Sequence, residues 1–378
     1  MTGFRDAPQA IATDGQTTTL LRKRAAFEQL PTVSVAADNI ISAVKSESRV
    51  DVEAPLSSLR MFNTGRITRG SGGVDVEKRA FYQLCDRMRF AVPSEARPES
   101  FGRYLASCPP EMRAIHFNHW AAQAEDKPVV LRTRNGSETR GVFAAVTPGY
   151  TAYDVDSVTS VIADTLSTED CRVEGSYTGY GLNFRALWMT DVQPRQGDIF
   201  KSGVEIKTSD QGGGSILVRA VVMRATCSNM DLVSKRVVEF VRRTHRGDVN
   251  EIRDTLAEGI GIVRDRTSGF FDLYGRATQT TVGQTEDDIK AMFARFVANK
   301  IDVRGQQRKV EPVLALPNVR RQTLADYMFQ AWKQEPGYTQ ADLYNAVTRT
   351  AHEQEWVRVD MRDELESQAD RVLMMELD

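Results

Sequence analysis

Along residues 77–90, apolar side chains return at helical spacing: Phe81, Leu84, Cys85 and Met88 share one face, while Arg79, Arg87 and Arg89 fall elsewhere on the cylinder. That pattern predicts an amphipathic helix, punctuated afterwards by Pro93 and Pro98. A second helix is predicted from Pro110 to Ala124. Proline suits its first turn because the missing N–H would have had no intrahelical partner.

Beyond Ala124 the pattern changes to strands. Pro128–Arg134 predicts a strand, Asn135-Gly136 a hairpin turn and Arg140–Val146 the returning strand. Asp154–Leu166 reverts to helical spacing through Val158, Val161, Ile162 and Leu166. Arg172–Thr190 reads as two strands broken around Gly179 and Gly181, and Val204–Thr208 with Ser215–Arg224 as another pair joined through Gly212, Gly213 and Gly214. Met230–His245 reads as an amphipathic helix with Val233, Val237, Phe240 and Val241 on its buried face. The remainder is helical. Thr285 with Asp288, and Thr339 with Asp342, have the spacing of capping boxes, in which a hydroxyl and an acidic side chain satisfy each other's backbone N–H groups. The first opens onto Ile289, Met292, Phe293, Phe296 and Val297, the second onto Leu343 and Val347.

This order predicts an α+β protein: an antiparallel-rich sheet with an inserted helix, flanked by helical N-terminal and C-terminal regions. Residues 1–60, weakly periodic and rich in Thr, Ser, Ala and Asp, read as a flexible N-terminal arm. Residues 61–265 form the expected α+β core domain and residues 266–378 a helical C-terminal region.

Composition narrows the classes. The chain has 378 residues, 41% hydrophobic and 26% charged, an ordinary mixture for a soluble protein able to bury a core. Nothing approaches a membrane-spanning apolar run, and Met1–Gln29 is polar, with Arg22, Lys23 and Arg24 in place of the apolar stretch of a signal peptide. A cytoplasmic location is expected. Cys85, Cys108, Cys171 and Cys227 are scattered, without a C-x-x-C pair, so reduced thiols are expected and no zinc site or other cofactor. The net charge of −2 means that a polyanionic partner would be held by local patches rather than by the whole surface.

Catalytic constellations are scarce. His116 and His119 stand at i, i+3 on the predicted helix, but no third metal ligand is evident nearby. Cys227 and His245 could meet in space as nucleophile and base; a buried thiol is the alternative. The glycine run lacks the Lys-Ser/Thr of a P-loop and reads as a hairpin loop. Basic features carry more. Arg132 and Arg134 share a strand face with Val130, because side chains alternate, and Arg140 lies just across the turn. Guanidinium forks at such spacing suit phosphate oxygens; salt bridging to Glu138 or another acid is the structural alternative. The Met230–His245 segment adds Lys235, Arg236, Arg242, Arg243 and Arg246, more cations than a helix C-terminus needs.

A set of motifs then resembles a known family. Gly197-Asp-Ile-Phe-Lys-Ser-Gly-Val-Glu-Ile, Gly213-Gly-Ser-Ile, Arg224-Ala-Thr-Cys-Ser-Asn-Met230 and Arg243-Thr-His-Arg-Gly247 are similar to the phage- and plasmid-borne family of domain of unknown function 932. The family's glycine between Asn and Met is missing after Asn229, and its Arg-His-Thr-Gly ending is altered. Val130-Leu-Arg-Thr-Arg, Arg140-Gly-Val-Phe and Thr151-Ala-Tyr-Asp-Val look like the family's start, so the resemblance covers about residues 75–260. The family has no assigned activity. Its members travel with phage and plasmid recombination functions, and its element order is loosely similar to that of ring-forming single-strand annealing proteins, which bind DNA along a basic groove without a catalytic residue. The expectation is therefore a non-enzymatic, homo-oligomeric phage or plasmid DNA-metabolism protein of the host-cell cytoplasm, without a membrane partner. It would bind single-stranded DNA through Arg132, Arg134, Arg140, Lys235, Arg236, Arg242, Arg243 and Arg246, with Tyr150, Tyr153, Tyr177 and Tyr180 as base-stacking candidates. A structural phage protein within a larger assembly is the alternative, and an enzyme centred on Cys227 and His245 is a third.

Overall fold

The computed structural model describes residues 28–68, 73–92, 100–124, 128–135, 140–212, 214–224, 229–232, 241–297, 318–353, 365 and 369–374. Its first helix, α1 (Val33–Lys45), buries Val33, Ala36, Ala37, Ile40 and Val44, a spacing of threes and fours that makes one apolar stripe. Strand β1 (Ser48–Pro55) follows and pairs antiparallel with β4 (Pro128–Asn135) along its whole length. Residues 33–55 are thus part of the fold, which corrects the reading of the first 60 residues as a flexible arm; residues 1–27 lie outside the described residues. The reason is visible in β1. Arg49 and Asp51 stand opposite Arg134 and Arg132, so the strand turns charged residues toward charged partners and hides the apolar alternation that marks an ordinary strand.

β4 is central in a three-stranded sheet, with β5 (Arg140–Val146) on its other edge. A ribbon of β2 (Arg60–Met61) and β3 (Ile67–Thr68) lies before it in the chain. Helices α2 (Lys78–Met88), α3 (Phe101–Ser107) and α4 (Pro110–Gln123) cover one face of this sheet. Leu84, Cys85, Met88 and Phe117 pack there with Val129, Leu131, Val142 and Ala145. On the other face Val130 packs with Phe143, Tyr150 and Tyr180.

After α5 (Val155–Leu166) comes an antiparallel six-stranded sheet of β6 (Cys171–Tyr177), β7 (Gly181–Arg195), β8 (Asp198–Ser209), β9 (Ile216–Arg224), β10 (Asn229–Leu232) and β11 (Val241–Arg243). The glycines at 212–214 fall in the β8–β9 connection, as the hairpin reading expects. The helix predicted over Met230–His245 is corrected at both ends. Asn229–Leu232 pairs with Arg224–Val221, and Val241–Arg243 pairs with Val218–Ile216. The chain returns to β9 twice, and β8 holds the other edge of that strand. Residues 233–240 between the two pairings lie outside the described residues. A run rich in valine satisfies a strand as readily as a helix, and here the open edge of β9 decides. The close fit of the covering helix α6 (Val249–Arg266) reinforces the choice: a Cβ on Gly259 would sit 2.9 Å from Val241.

The C-terminal helices α7 (Ser268–Ala277), α8 (Glu286–Val297), α9 (Asn318–Gln334) and α10 (Gln340–Glu353) complete the α+β fold. Both capping boxes form. Asp288 accepts from the Thr285 N–H at 3.0 Å while Thr285 Oγ1 accepts from the Asp288 N–H at 3.2 Å, and Thr339 and Asp342 repeat the exchange at 3.0 and 3.3 Å. One continuous core runs from Val33 on α1 through the six-stranded sheet to Leu373. Arg224 pairs with the buried Asp198 and, at 2.7 Å, with Glu335 just after α9, which Arg349 of α10 meets at 2.8 Å. The divisions expected at 60/61 and 265/266 therefore do not separate cores. No helix among the described residues is long and apolar enough to cross a membrane.

Candidate nucleic-acid interface

Two groups of arginines emerge, and the structure treats them oppositely. The first lies where the two sheets meet. Arg132 and Arg134 do share a strand face, but that face is buried, with Arg132 only 1% exposed. Arg132 donates to Asp51 at 3.1 Å, to Asp154 at 2.7 Å and to the Asp210 carbonyl at 2.7 Å. Arg134 meets Glu77 at 2.6 Å and Glu47 at 3.6 Å. Arg49 meets Asp210 at 2.6 Å and donates to the Tyr177 hydroxyl at 2.7 Å. The three guanidinium groups lie 5.3–5.9 Å from the ring centre of Phe143. The β4–β5 register steps from Arg132↔Ala144 to Thr133↔Val142 and so skips Phe143, a bulge that aims the ring into the cluster. With each guanidinium ion-paired to buried or partly buried carboxylates, this face is a structural junction and not an exposed phosphate-binding surface. That corrects the role expected of Arg132 and Arg134. The side chain of Arg140 lies outside the described residues.

The junction holds more acid than base. Burial and the neighbouring Asp154 push Asp210 up to about 7, against the pull of Arg49 and Arg132. A carboxyl raised in the folded state stabilises fully below its unfolded value near pH ~4, and that contribution is lost as pH rises to about 7. Between those limits, the stability of wild type relative to Asp210→Asn should fall with rising pH. Urea midpoints for the two proteins across the range check this.

The second group surrounds an open cleft of about 710 Å³ between α2, the end of β5, the β8–β9 connection and the Thr244–Arg246 segment. Arg79, Arg87, Arg89 and Arg246 line it, with Asp86 the one acid among the lining residues. None of the four arginines makes an ion pair with a described residue. Arg87 is half-buried: it donates to the Ala145 carbonyl at 3.3 Å, its Nε has no partner among the described residues, and burial lowers its affinity for its own proton. A desolvated, unpaired cation of this kind gains more from an incoming anion than an exposed one does. Gln83 holds the cleft together. Its amide accepts from the Ala145 N–H at 2.9 Å and donates to the Gln211 carbonyl at 2.6 Å, tying α2 to β5 and to the β8–β9 connection.

The aromatic candidates are mostly committed. Tyr153 is 3% exposed in the main core. Tyr177 serves Arg49 and donates to the Gly179 carbonyl at 2.8 Å. Tyr180 lies under Arg134 at 4.9 Å. Tyr150 reaches the cleft, but its ring is already stacked with His245 at 5.1 Å and carries Arg132 at 5.2 Å. The ring the sequence reading passed over is Phe90, 70% exposed at the cleft, with Arg89 5.0 Å from its centre.

Of the remaining expected contacts, Arg246 lines the cleft. Arg242 is exposed on β11 beside Ser215, and Arg243 pairs with Glu251 at 2.9 Å. Both stand on a strand rather than on the expected helix. Lys235 and Arg236 lie outside the described residues, as does Cys227, the nucleophile of the enzymatic reading. His116 and His119 stand on α4; among the described residues no group of three or more His, Cys, Asp or Glu is placed to hold a metal. No family model matches the chain, and neither curated proteins nor solved structures give a match. The family resemblance therefore rests on the quoted motifs alone.

Proposed function

We propose that the chain binds single-stranded nucleic acid non-catalytically in the cleft between α2 and the Thr244–Arg246 segment. The observation that supports this most is the contrast between the two arginine groups: the junction arginines are neutralised within the protein, whereas Arg79, Arg87, Arg89 and Arg246 make no ion pair with a described residue. Unpaired guanidinium groups around a groove bind backbone phosphates, and an exposed aromatic ring such as Phe90 supplies a platform for an unstacked base. The quoted motif resemblance points in the same direction, to DNA metabolism in a phage or plasmid setting, in recombination or replication. A labelled single-stranded oligonucleotide titrated into the protein tests the reading. Binding should be clear at low salt, and log affinity should fall linearly with log salt by about 0.7 per phosphate contact. Absence of binding at low salt would overturn it.

A further inference from the structure

The floor of the cleft contains a histidine that the phosphate-binding reading does not use. His245 lines the cleft beside Arg246 yet is only 3% exposed. Its Nε2 stands 3.1 Å from Thr208 Oγ1 of β8, and its ring lies against Tyr150. Among the described residues its Nδ1 meets no hydrogen-bond partner, and neither does Oδ1 of the partly buried Asp154. A neutral imidazole donates through one nitrogen only, whereas the imidazolium donates through both. The cleft floor therefore holds a ring nitrogen and a carboxylate oxygen, each unsatisfied among the described side chains, within one electrostatic neighbourhood.

We propose that occupation of this cleft by phosphate is coupled to proton uptake by His245, so that the affinity for single strands rises as pH falls. This rests on the functional reading above and adds its regulation. The groups that bear on the imidazole are known from each element around it. Burial disfavours the charged ring, Asp154 at the start of α5 favours it, Arg132 of β4 opposes it, and the Thr151 backbone before α5 favours it. Thr208 of β8 and Tyr150 are neutral neighbours. Across the cleft α2 and its C-terminal cap bring Arg79, Arg87 and Arg89 with Asp86. Burial holds the imidazole below its ordinary range. A bound phosphodiester adds negative charge near Arg246 and offsets the arginine field, which favours the imidazolium. By linkage, a proton taken up on binding means tighter binding at lower pH. The cleft arginines keep their charge throughout this range, so they contribute no slope of their own.

The probe is a short labelled oligothymidylate, titrated at constant ionic strength between about pH 5.5 and 8, the range in which an imidazole switches. Wild type should bind more tightly toward the acid end, by up to about tenfold per pH unit within the window between the free and bound values. His245→Asn, which keeps an amide able to meet Thr208, should bind with a flat profile. Asp210 lies close by and titrates in the same range, so Asp210→Asn is the companion variant and should keep the slope. Calorimetry of the wild type in buffers of different ionisation enthalpy reads the proton directly and covers the case in which a variant fails to fold. Binding with no proton uptake, or a slope that survives His245→Asn or disappears with Asp210→Asn, would overturn the coupling while leaving the binding reading intact. No binding at any pH would overturn both.

Discussion

Arg132→Ala should lower the free energy of unfolding by about 3–5 kcal/mol, the range found when one partner of a buried ion pair is removed. The substitution leaves Asp154 without its 2.7 Å partner, deprives Asp51 of its guanidinium contact, and takes the donor from the Asp210 carbonyl. Phe143 and Tyr150 also lose the cation beside their rings. Urea denaturation checks this, and a loss below about 1 kcal/mol, the scale of an exposed pair, would mean that the junction is solvated rather than buried. Arg132→Lys is a finer probe. A single ammonium cannot span Asp51, Asp154 and the Asp210 carbonyl as the guanidinium fork does, so this variant too should be destabilised, though less.

The cleft arginines should behave in the opposite way. Arg87→Ala and Arg246→Ala should leave stability nearly unchanged, since neither side chain is paired with a carboxylate of the described residues, while each lowers single-strand affinity by roughly tenfold or more, taking a charge-assisted hydrogen bond at about 1.5–3 kcal/mol. The double variant should also show a salt dependence shallower by about 1.4, two contacts at about 0.7 each. Arg264, exposed on α6 and paired with Glu169 and Asp265, is the control: Arg264→Ala should bind as wild type does. Binding that tracks Arg264 rather than Arg87 would place the nucleic acid elsewhere.

Much of the fold was legible because its elements follow simple periods. The α2 stripe of Phe81, Leu84, Cys85 and Met88 is buried as its spacing requires. Proline at the start of α4 and the two capping boxes mark helix starts that the structure reproduces. What was hidden depended on partners distant in sequence. Strand β1 could not be read locally, because the charges on its inner face are balanced by residues about 80 positions away, as in the Arg132–Asp51 pair. The valine run after Met230 fits a helical wheel, yet the open edge of β9 draws its ends into strands.

The candidate site shows the same division. Spacing correctly placed Arg132 and Arg134 on one face but carries no information on whether that face meets solvent or a second sheet. Arg79, Arg87 and Arg89 were visible as the polar side of a helix, the commonest surface pattern there is. Only the approach of Gly212 and Arg246 from the other sheet turns them into one wall of a cleft. Arg246 itself was singled out as a cation on a helix, and it reaches the cleft from the segment that follows β11.

Whether single strands lie in this cleft is read from ultraviolet cross-linking of a bound oligothymidylate, followed by mass-spectrometric mapping of the modified residues. The structure predicts cross-links concentrated at Phe90, with Tyr150 and the Thr244–Arg246 segment beside it. Cross-links confined to surfaces away from the cleft, such as α4 or the C-terminal helices, would contradict that placement.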